Sequence, residues 1–182
     1  FIDDQCMNQF HIDRYREHVS YVSQNPFLFS ATIAENMMFF DQKKNPEYYA
    51  KHACIDHDIR LFPQGYHTMI GEKGVVLSGG QRSRLALARA FYKPASLLIL
   101  DDVLSAVDHE TEQKMIENLL KLKSKDQTII IVSHRISALV CCDDIVVLDQ
   151  GKIVSQGDHH DLIKQSGMYQ HTWNYQKMVD SL

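Results

Sequence analysis

No stretch of the chain approaches the roughly 20 consecutive apolar residues that a bilayer crossing requires. Thr128 to Val132 and Ile145 to Leu148 are short and closed by polar residues, so the chain itself is not expected to span a membrane. Cysteine is scarce, and Cys6, Cys54, Cys141 and Cys142 form no C-x-x-C pair; with no secretory leader, this fits a reducing cytosol and structural thiols. There is no long basic run and the formal charge is -4, so nothing favours a nucleic-acid backbone as partner. A phosphate ligand would have to be held locally. An initiator methionine is missing too: Phe1 opens in mid-pattern, and the expectation is a longer protein.

The 182 residues, 45% hydrophobic and 23% charged, are enough for one compact domain with a real core and exclude disordered and fibrous classes. Short β-branched runs alternate with helical stretches, the pattern of a parallel or mixed sheet covered by helices. The predicted strands are Val19 to Val22, Leu97 to Leu100, Thr128 to Val132 and Ile145 to Leu148. Lys152 to Ser155 adds a hairpin partner, because Gly151 can take the positive φ of a tight turn. Between the first strand and Ser78, the breakers Asn25-Pro26, Asn45-Pro46 and Pro63-Gln64-Gly65 separate helical patterns, which reads as an inserted helical lobe. Asp158 can cap a helix whose third position is Asp161, and Gly167 separates it from a last helical stretch ending near Val179.

Ser78-Gly79-Gly80-Gln81 has the S-x-x-Q spacing of a capping box, so a helix rich in alanine, leucine and arginine should begin there. Its first turn leaves several amides without helical partners, the macrodipole is positive at that end, and two glycines let a large anion approach the backbone. On the spacing alone, an ordinary capped helix with glycines for close packing is an equal alternative. The surroundings decide between them. Leu77-Ser78-Gly79-Gly80-Gln81, Arg82, an alanine-rich run to Phe91 and then Leu97-Leu98-Ile99-Leu100-Asp101-Asp102 together resemble the signature motif and Walker B strand of ATP-binding cassette (ABC) ATPases.

The resemblance covers roughly Val19 to Gly167, with the family's motifs in the family's order. Gln24 matches the Q-loop glutamine, Asp101 the Walker B aspartate, Ser105 to Asp108 the D-loop, and Ser133-His134-Arg135 the switch histidine. Thr68 to Gly74 looks like the segment preceding the signature in ABC exporters. The fold it implies is an α/β, P-loop NTPase-like core with an inserted α-helical subdomain. The expected division is 1–24 as the core up to the Q-loop, 25–93 as the helical subdomain, 94–157 as core again and 158–182 as C-terminal helices.

The implied cofactors are ATP and Mg²⁺, with Asp101 and Gln24 as metal-facing oxygens. Ser78, Gly79, Gly80, Gln81, Asp108 and Gln24 are expected at nucleotide, Asp102 as catalytic base, and His134 as a neutral imidazole on the γ-phosphate. Gln24 could also belong to a plain turn. The remaining histidines, His159 and His160 included, have no metal-ligand spacing.

One part is missing and one is altered. No G-x-x-x-x-G-K-[ST] occurs; the sole Gly-Lys pair, Gly151-Lys152, has Val146 and Ile153 at the positions that need Gly and Ser or Thr. In the family that loop lies before the strand resembling Phe1 to Asp4, so the core is expected to lack its N-terminal part and the chain alone to be inactive. Two such domains pair head to tail in the family, and the signature of one covers the γ-phosphate held by the other. Asp102 stands where the family usually has glutamate, and a carboxylate set back by about an ångström can cost on the order of 10²-fold in rate. That combination resembles one half of an asymmetric, heterodimeric exporter of bacterial multidrug type.

The expected partners are therefore a second nucleotide-binding domain, with a heterodimer favoured over a homodimer, and the coupling helices of a transmembrane domain received near Phe27, Leu28 and Phe29. No nucleic acid is expected. The expected location is the cytoplasmic face of a membrane, the bacterial inner membrane for a multidrug-type exporter. Three other readings remain: a soluble ABC ATPase of DNA repair or translation, an importer ATPase, and a non-catalytic regulatory module.

Overall fold

The computed structural model describes Cys6 and residues 12–39, 44–71, 74–93 and 95–180. The expected strand at Phe1 to Asp4, and Glu72 with Lys73 of the segment before the signature, lie outside the described residues. The chain divides into two compact units, Phe1–Val132 and Ser133–Leu182.

In chain order the first unit runs α1 (Ile12–Glu17), β1 (Val19–Val22), β2 (Ala31–Thr32), α2 (Ile33–Met38), α3 (Pro46–His52), α4 (Asp56–Leu61), β3 (Met69–Ile70), α5 (Gly79–Tyr92), β4 (Leu97–Asp101), α6 (His109–Leu122) and β5 (Thr128–Val132). Single 3-10 turns lie at Gly65–His67 and Val103–Ala106. β1, β4 and β5 form a parallel sheet in the order β1-β4-β5, with Val22 opposite Leu100 and Asp101 opposite Val132. β-branched and leucine runs give strands of this kind because they pack well on a pleated, buried surface. Leu98 and Leu100 of β4 are buried, as are Leu85 and Leu87 of α5 and Met115 and Leu119 of α6. The opposite face of the sheet carries the exposed Tyr21, Ile130 and Val132.

The helical lobe is more than helices. β2 and β3 form a two-residue antiparallel ribbon, Ala31 opposite Ile70 and Thr32 opposite Met69. No periodicity can announce strands this short, since an alternation needs about four residues to be read. The ribbon leads directly into α2, whose Thr32 and Glu35 form a reciprocal capping box. α5 is the lobe's central element and packs on α2, α3, β1 and the turn Val103–Ala106. Seven of its residues are buried, and each buried leucine contributes about 1.5–3 kcal/mol.

The second unit holds a 3-10 turn at Ile136–Ala138, β6 (Ile145–Asp149), β7 (Lys152–Gly157), α7 (His159–Leu162) and α8 (Met168–Asp180). β6 and β7 make the expected hairpin, with a register shift between Val147 and Leu148. Its turn uses two positive φ values, 47° at Gln150 and 75° at Gly151, as a two-residue hairpin of right-handed twist demands. Asp158 caps α7 by accepting from the Asp161 amide at 2.8 Å, as the spacing predicts. Ile136, Ile145, Leu162 and Tyr169 form this unit's core. His159 is buried there, its Nδ1 2.8 Å from the Tyr169 hydroxyl, and burial pushes its pKa down. It is a packing histidine.

Among the described residues, no helix is long and apolar enough to cross a membrane.

Candidate functional site

The start of α5 is built as its sequence predicts. Ser78 is extended, with φ -63° and ψ 163°, so its Oγ accepts from the Gln81 amide at 3.2 Å. Gln81 Oε1 in return accepts from the Ser78 amide at 3.0 Å. The other end of the Gln81 amide donates to Asp58 Oδ1 at 3.0 Å. Arg84 donates to Asp58 Oδ2 at 2.9 Å and to the Cys54 carbonyl at 2.6 Å. A further bond, from Arg84 Nε to the Gly80 carbonyl at 3.2 Å, ties the first turn to the same arginine. Sequence reading did not find Asp58 or Arg84. Arg84 stands three residues after Gln81, on the same helix face, but its partner comes from α4, and no local spacing encodes that meeting.

The two glycines do different jobs. A Cβ on Gly80 would stand 2.7 Å from the Ala106 carbonyl oxygen, whereas a Cβ on Gly79 would meet nothing within 4 Å. Gly80 thus lets α5 press against the turn Val103–Ala106 that follows the Walker-like strand. Gly79 leaves an open backbone at the positive end of a 14-residue helix. Close packing, one of the two sequence alternatives for this pair, describes Gly80.

At the C-terminal ends of β1 and β4 the structure brings Gln24, Asp101 and Asp102 together. Gln24 Nε2 donates to Asp102 Oδ2 at 3.2 Å, and the Tyr21 hydroxyl donates to Asp101 Oδ2 at 2.8 Å. This carboxylate in turn raises the Tyr21 pKa, because deprotonation would lose the bond and set two anions side by side. Asp102 adopts the left-handed region, φ 50° and ψ 29°, which aspartate tolerates better than bulkier residues. The turn holds it there: its amide donates to the Val132 carbonyl at 2.9 Å, and the Ser105 hydroxyl donates to its carbonyl at 2.8 Å. Its second carboxylate oxygen, Oδ1, is buried with no hydrogen-bond partner. A buried carboxylate oxygen left in this state is costly and calls for a donor or a cation.

Asp108 is placed as the N-cap of α6. Its oxygens accept from the Thr111 amide at 2.9 Å and the Thr111 hydroxyl at 2.7 Å, and these bonds lower its pKa. His134 lies exposed in the second unit, two residues beyond β5, with its carbonyl accepting from Gln176 Nε2 at 2.8 Å. Among the described residues there is no group of three or more His, Cys, Asp or Glu able to hold a metal unaided.

Behind α5 lies a second constellation. Phe27 and Phe29 meet edge to face with centroids 5.1 Å apart; Phe27 is 70% and Phe29 39% exposed. Asn36, fully buried, brackets the backbone of Phe29, accepting from its amide at 2.8 Å and donating to its carbonyl at 3.0 Å. Arg89 of α5 donates to the carbonyls of Phe27 at 2.9 Å and Asn36 at 2.8 Å, and to Asn36 Oδ1 at 3.2 Å. Burial lowers its pKa. Neither Asn36 nor Arg89 was predicted. No local signal exposes them, because Asn36 can bond within its own turn, as it does to the Thr32 carbonyl at 3.0 Å, and meets Phe29 and Arg89 only in the fold.

A family model described as "ABC transporter" matches residues 1–105. The chain is 45% identical over 170 residues to the multidrug resistance-like ATP-binding protein MdlA of Buchnera aphidicola subsp. Schizaphis graminum, covering 92% of this chain and 29% of that protein. It is 41% identical over 182 residues to MdlA of Escherichia coli K12, covering 98% and 31%. Among solved structures, a bacterial Atm1-family ABC exporter with ATP bound superposes with a TM-score of 0.81 at 36% identity, over 89% of this chain and 29% of the exporter chain. The chain therefore spans under a third of these relatives' length.

Proposed function

Since the chain belongs to the ABC transporter family, we propose that it is part of the ATP-binding and hydrolysing domain of an exporter, and that its signature helix acts on nucleotide held by a partner domain. The observation that carries this reading is the start of α5: a capped helix end whose Gly79 backbone faces open space. Ser78 and Gln81 fix the angle of the helix, Gly80 seats it on the turn Val103–Ala106, and the amides of the first turn are left to receive phosphoryl oxygens.

ATP and Mg²⁺ fit the donors present. The strand ends offer carboxylate and amide oxygens, with one buried oxygen of Asp102 unpartnered. Mg²⁺ takes one or two carboxylates and completes its shell with phosphate and water. Asp101 and Gln24 would hold it, and when bound it neutralises charge on the phosphoryl oxygens. Asp102 would accept the proton of the attacking water, and Gln24, already bonded to Asp102, would orient both. His134 would donate to the terminal phosphate. Asp108, in the loop after Asp102, would reach nucleotide across the domain pair only by giving up its cap on α6.

No phosphate loop is present in these 182 residues, so the chain on its own is expected to hydrolyse ATP hardly at all. The short carboxylate of Asp102 makes its composite site slow, and the partner domain then carries the faster one, in a heterodimer. In this reading the exposed Phe27 and Phe29 receive a coupling helix of the membrane domain, at the cytoplasmic face of a membrane, which for a multidrug-type bacterial exporter is the inner membrane. The decisive experiment replaces the glutamate at the position equivalent to Asp102 in the other domain of the full-length pair. Loss of nearly all turnover is expected, and retained turnover contradicts the asymmetric assignment. Asp102→Glu in the same pair should raise total turnover by no more than about twofold, because only one of two sites is restored.

A further inference from the structure

The proposed function leaves one question at the other end of α5: what connects the helix that meets phosphate to the aromatic loop that meets the membrane domain? Apolar packing alone does not hold the loop, since Phe27 is 70% and Phe29 39% exposed. Its backbone is held instead by polar groups that converge on one side chain.

Arg89 lies ten residues after Gly79, about 15 Å along a continuous helix. Its guanidinium reaches three acceptors in the lobe: the Phe27 carbonyl, the Asn36 carbonyl and Asn36 Oδ1. Asn36 passes the connection on by gripping both the amide and the carbonyl of Phe29, while its Nδ2 also donates to the Thr32 carbonyl at 3.0 Å. The guanidinium carbon also stands 5.9 Å from the Phe29 ring centroid and 4.9 Å from that of Phe39, within range of attraction to the ring faces. Phe39 is fixed by a left-handed C-cap, φ 46°, at the end of α2, and its ring lies 6.2 Å from that of Phe29. One side chain thus contacts both ends of the 27–39 segment and its three phenylalanines, Phe27, Phe29 and Phe39.

From this geometry we infer that Arg89 is a positioning residue for transport: a strut by which displacement of the signature helix moves the Phe27–Phe29–Phe39 surface. The inference rests on the exporter reading above. It assigns Arg89 no role at the nucleotide, because the partners of its side chain among the described residues lie on the loop side. Only a planar fork with several donors spans these acceptors. Lysine, with one point charge, keeps the cation but cannot make the same set of bonds.

The test uses the full-length transporter assembled with its partner domain in membrane vesicles, comparing wild type, Arg89→Lys, Phe29→Leu and the double variant. The readouts are basal ATPase, ATPase stimulated by transported compound, and uptake into inverted vesicles. Arg89→Lys is expected to keep basal ATPase and the KM for ATP within about twofold while stimulation disappears and uptake falls by at least about tenfold. The double variant should be no worse than the poorer single variant, because both changes interrupt one connection. ATPase and uptake falling in equal proportion, unchanged uptake, or multiplied losses in the double variant would each overturn the inference. Where Arg89→Lys does not assemble, Arg89→Gln takes its place under the same criteria. Failure of both to assemble assigns Arg89 to folding and overturns it as well. An unstimulated wild type overturns the exporter reading, and this inference with it; a stimulated wild type with a normally coupled Arg89→Lys overturns the inference alone.

Discussion

The helical lobe and the strand ends treat their polar side chains in opposite ways. In the lobe, Gln81, Asp58, Arg84, Asn36 and Arg89 are tied to one another and to the backbone. At the strand ends, Asp101 has a tyrosine hydroxyl, Asp102 has one glutamine amide, and a buried oxygen of Asp102 has nothing. A surface that presents amides to a ligand from outside must be rigid beforehand, because any reordering would subtract from binding. A site that gathers a cation and phosphates is assembled from charge, and its carboxylates cannot be fully satisfied by the protein without losing that capacity. In the proposed function the lobe is the donor of a finished surface and the strand ends are the receiver.

The sharpest way to break that contrast is to put side chains on the two glycines in the full-length transporter. Gly79→Val fills open space inside the chain but stands where a phosphoryl group would approach, so ATPase should fall on the order of 10²-fold with little change in thermal unfolding. Gly80→Ala should do the reverse in kind, lowering stability by about 1–3 kcal/mol, because its Cβ would be driven against the Ala106 carbonyl at 2.7 Å. Equal effects on both readouts would erase the distinction between the two residues.

A smaller effect tests the rigidity of the lobe itself. Ser78→Ala removes the acceptor for the Gln81 amide and should shift the denaturation midpoint by the equivalent of about 1 kcal/mol. Larger damage to ATPase than to stability would show that helix orientation, and not helix content, is what the cap supplies.

The smallest effect concerns Asp108. Its carboxyl is held below the ordinary value of 3.8 by the Thr111 backbone and side-chain bonds, so the cap stabilises fully above that value. The contribution is lost as pH falls through the lowered native value. Protection of the first-turn amides of α6, as exchange relative to the intrinsic rate at each pH, should fall on acidification below about pH 4 and do so less in Asp108→Asn; protection that does not change with pH would remove the carboxylate from the cap.

The sheet, the hairpin and three of the helix starts could be read directly from the chain because each is encoded locally. Leu97 to Leu100 is an apolar run, Asp158 and Asp161 stand at cap spacing, and Ser78 and Gln81 at box spacing. The candidate site was readable only as a succession of such local signals. Asp58 meeting Arg84, Tyr21 meeting Asp101 and Arg89 meeting Asn36 are separated in sequence by 26, 80 and 53 residues, and no periodicity specifies which distant side chain a buried donor will find. The different jobs of Gly79 and Gly80 were hidden for the same reason. Adjacent and chemically identical, they differ only in that Ala106 lies against one of them.

The most direct measurement is the position of the Gly79 amide in a nucleotide-trapped assembly of the full-length transporter, determined by electron cryomicroscopy with ATP held by the partner domain. The amide nitrogen is expected within about 3.2 Å of a terminal phosphoryl oxygen, the range of an N–H···O bond. If that end of α5 is turned away from the triphosphate in the closed, loaded state, the signature helix does not do what is proposed for it.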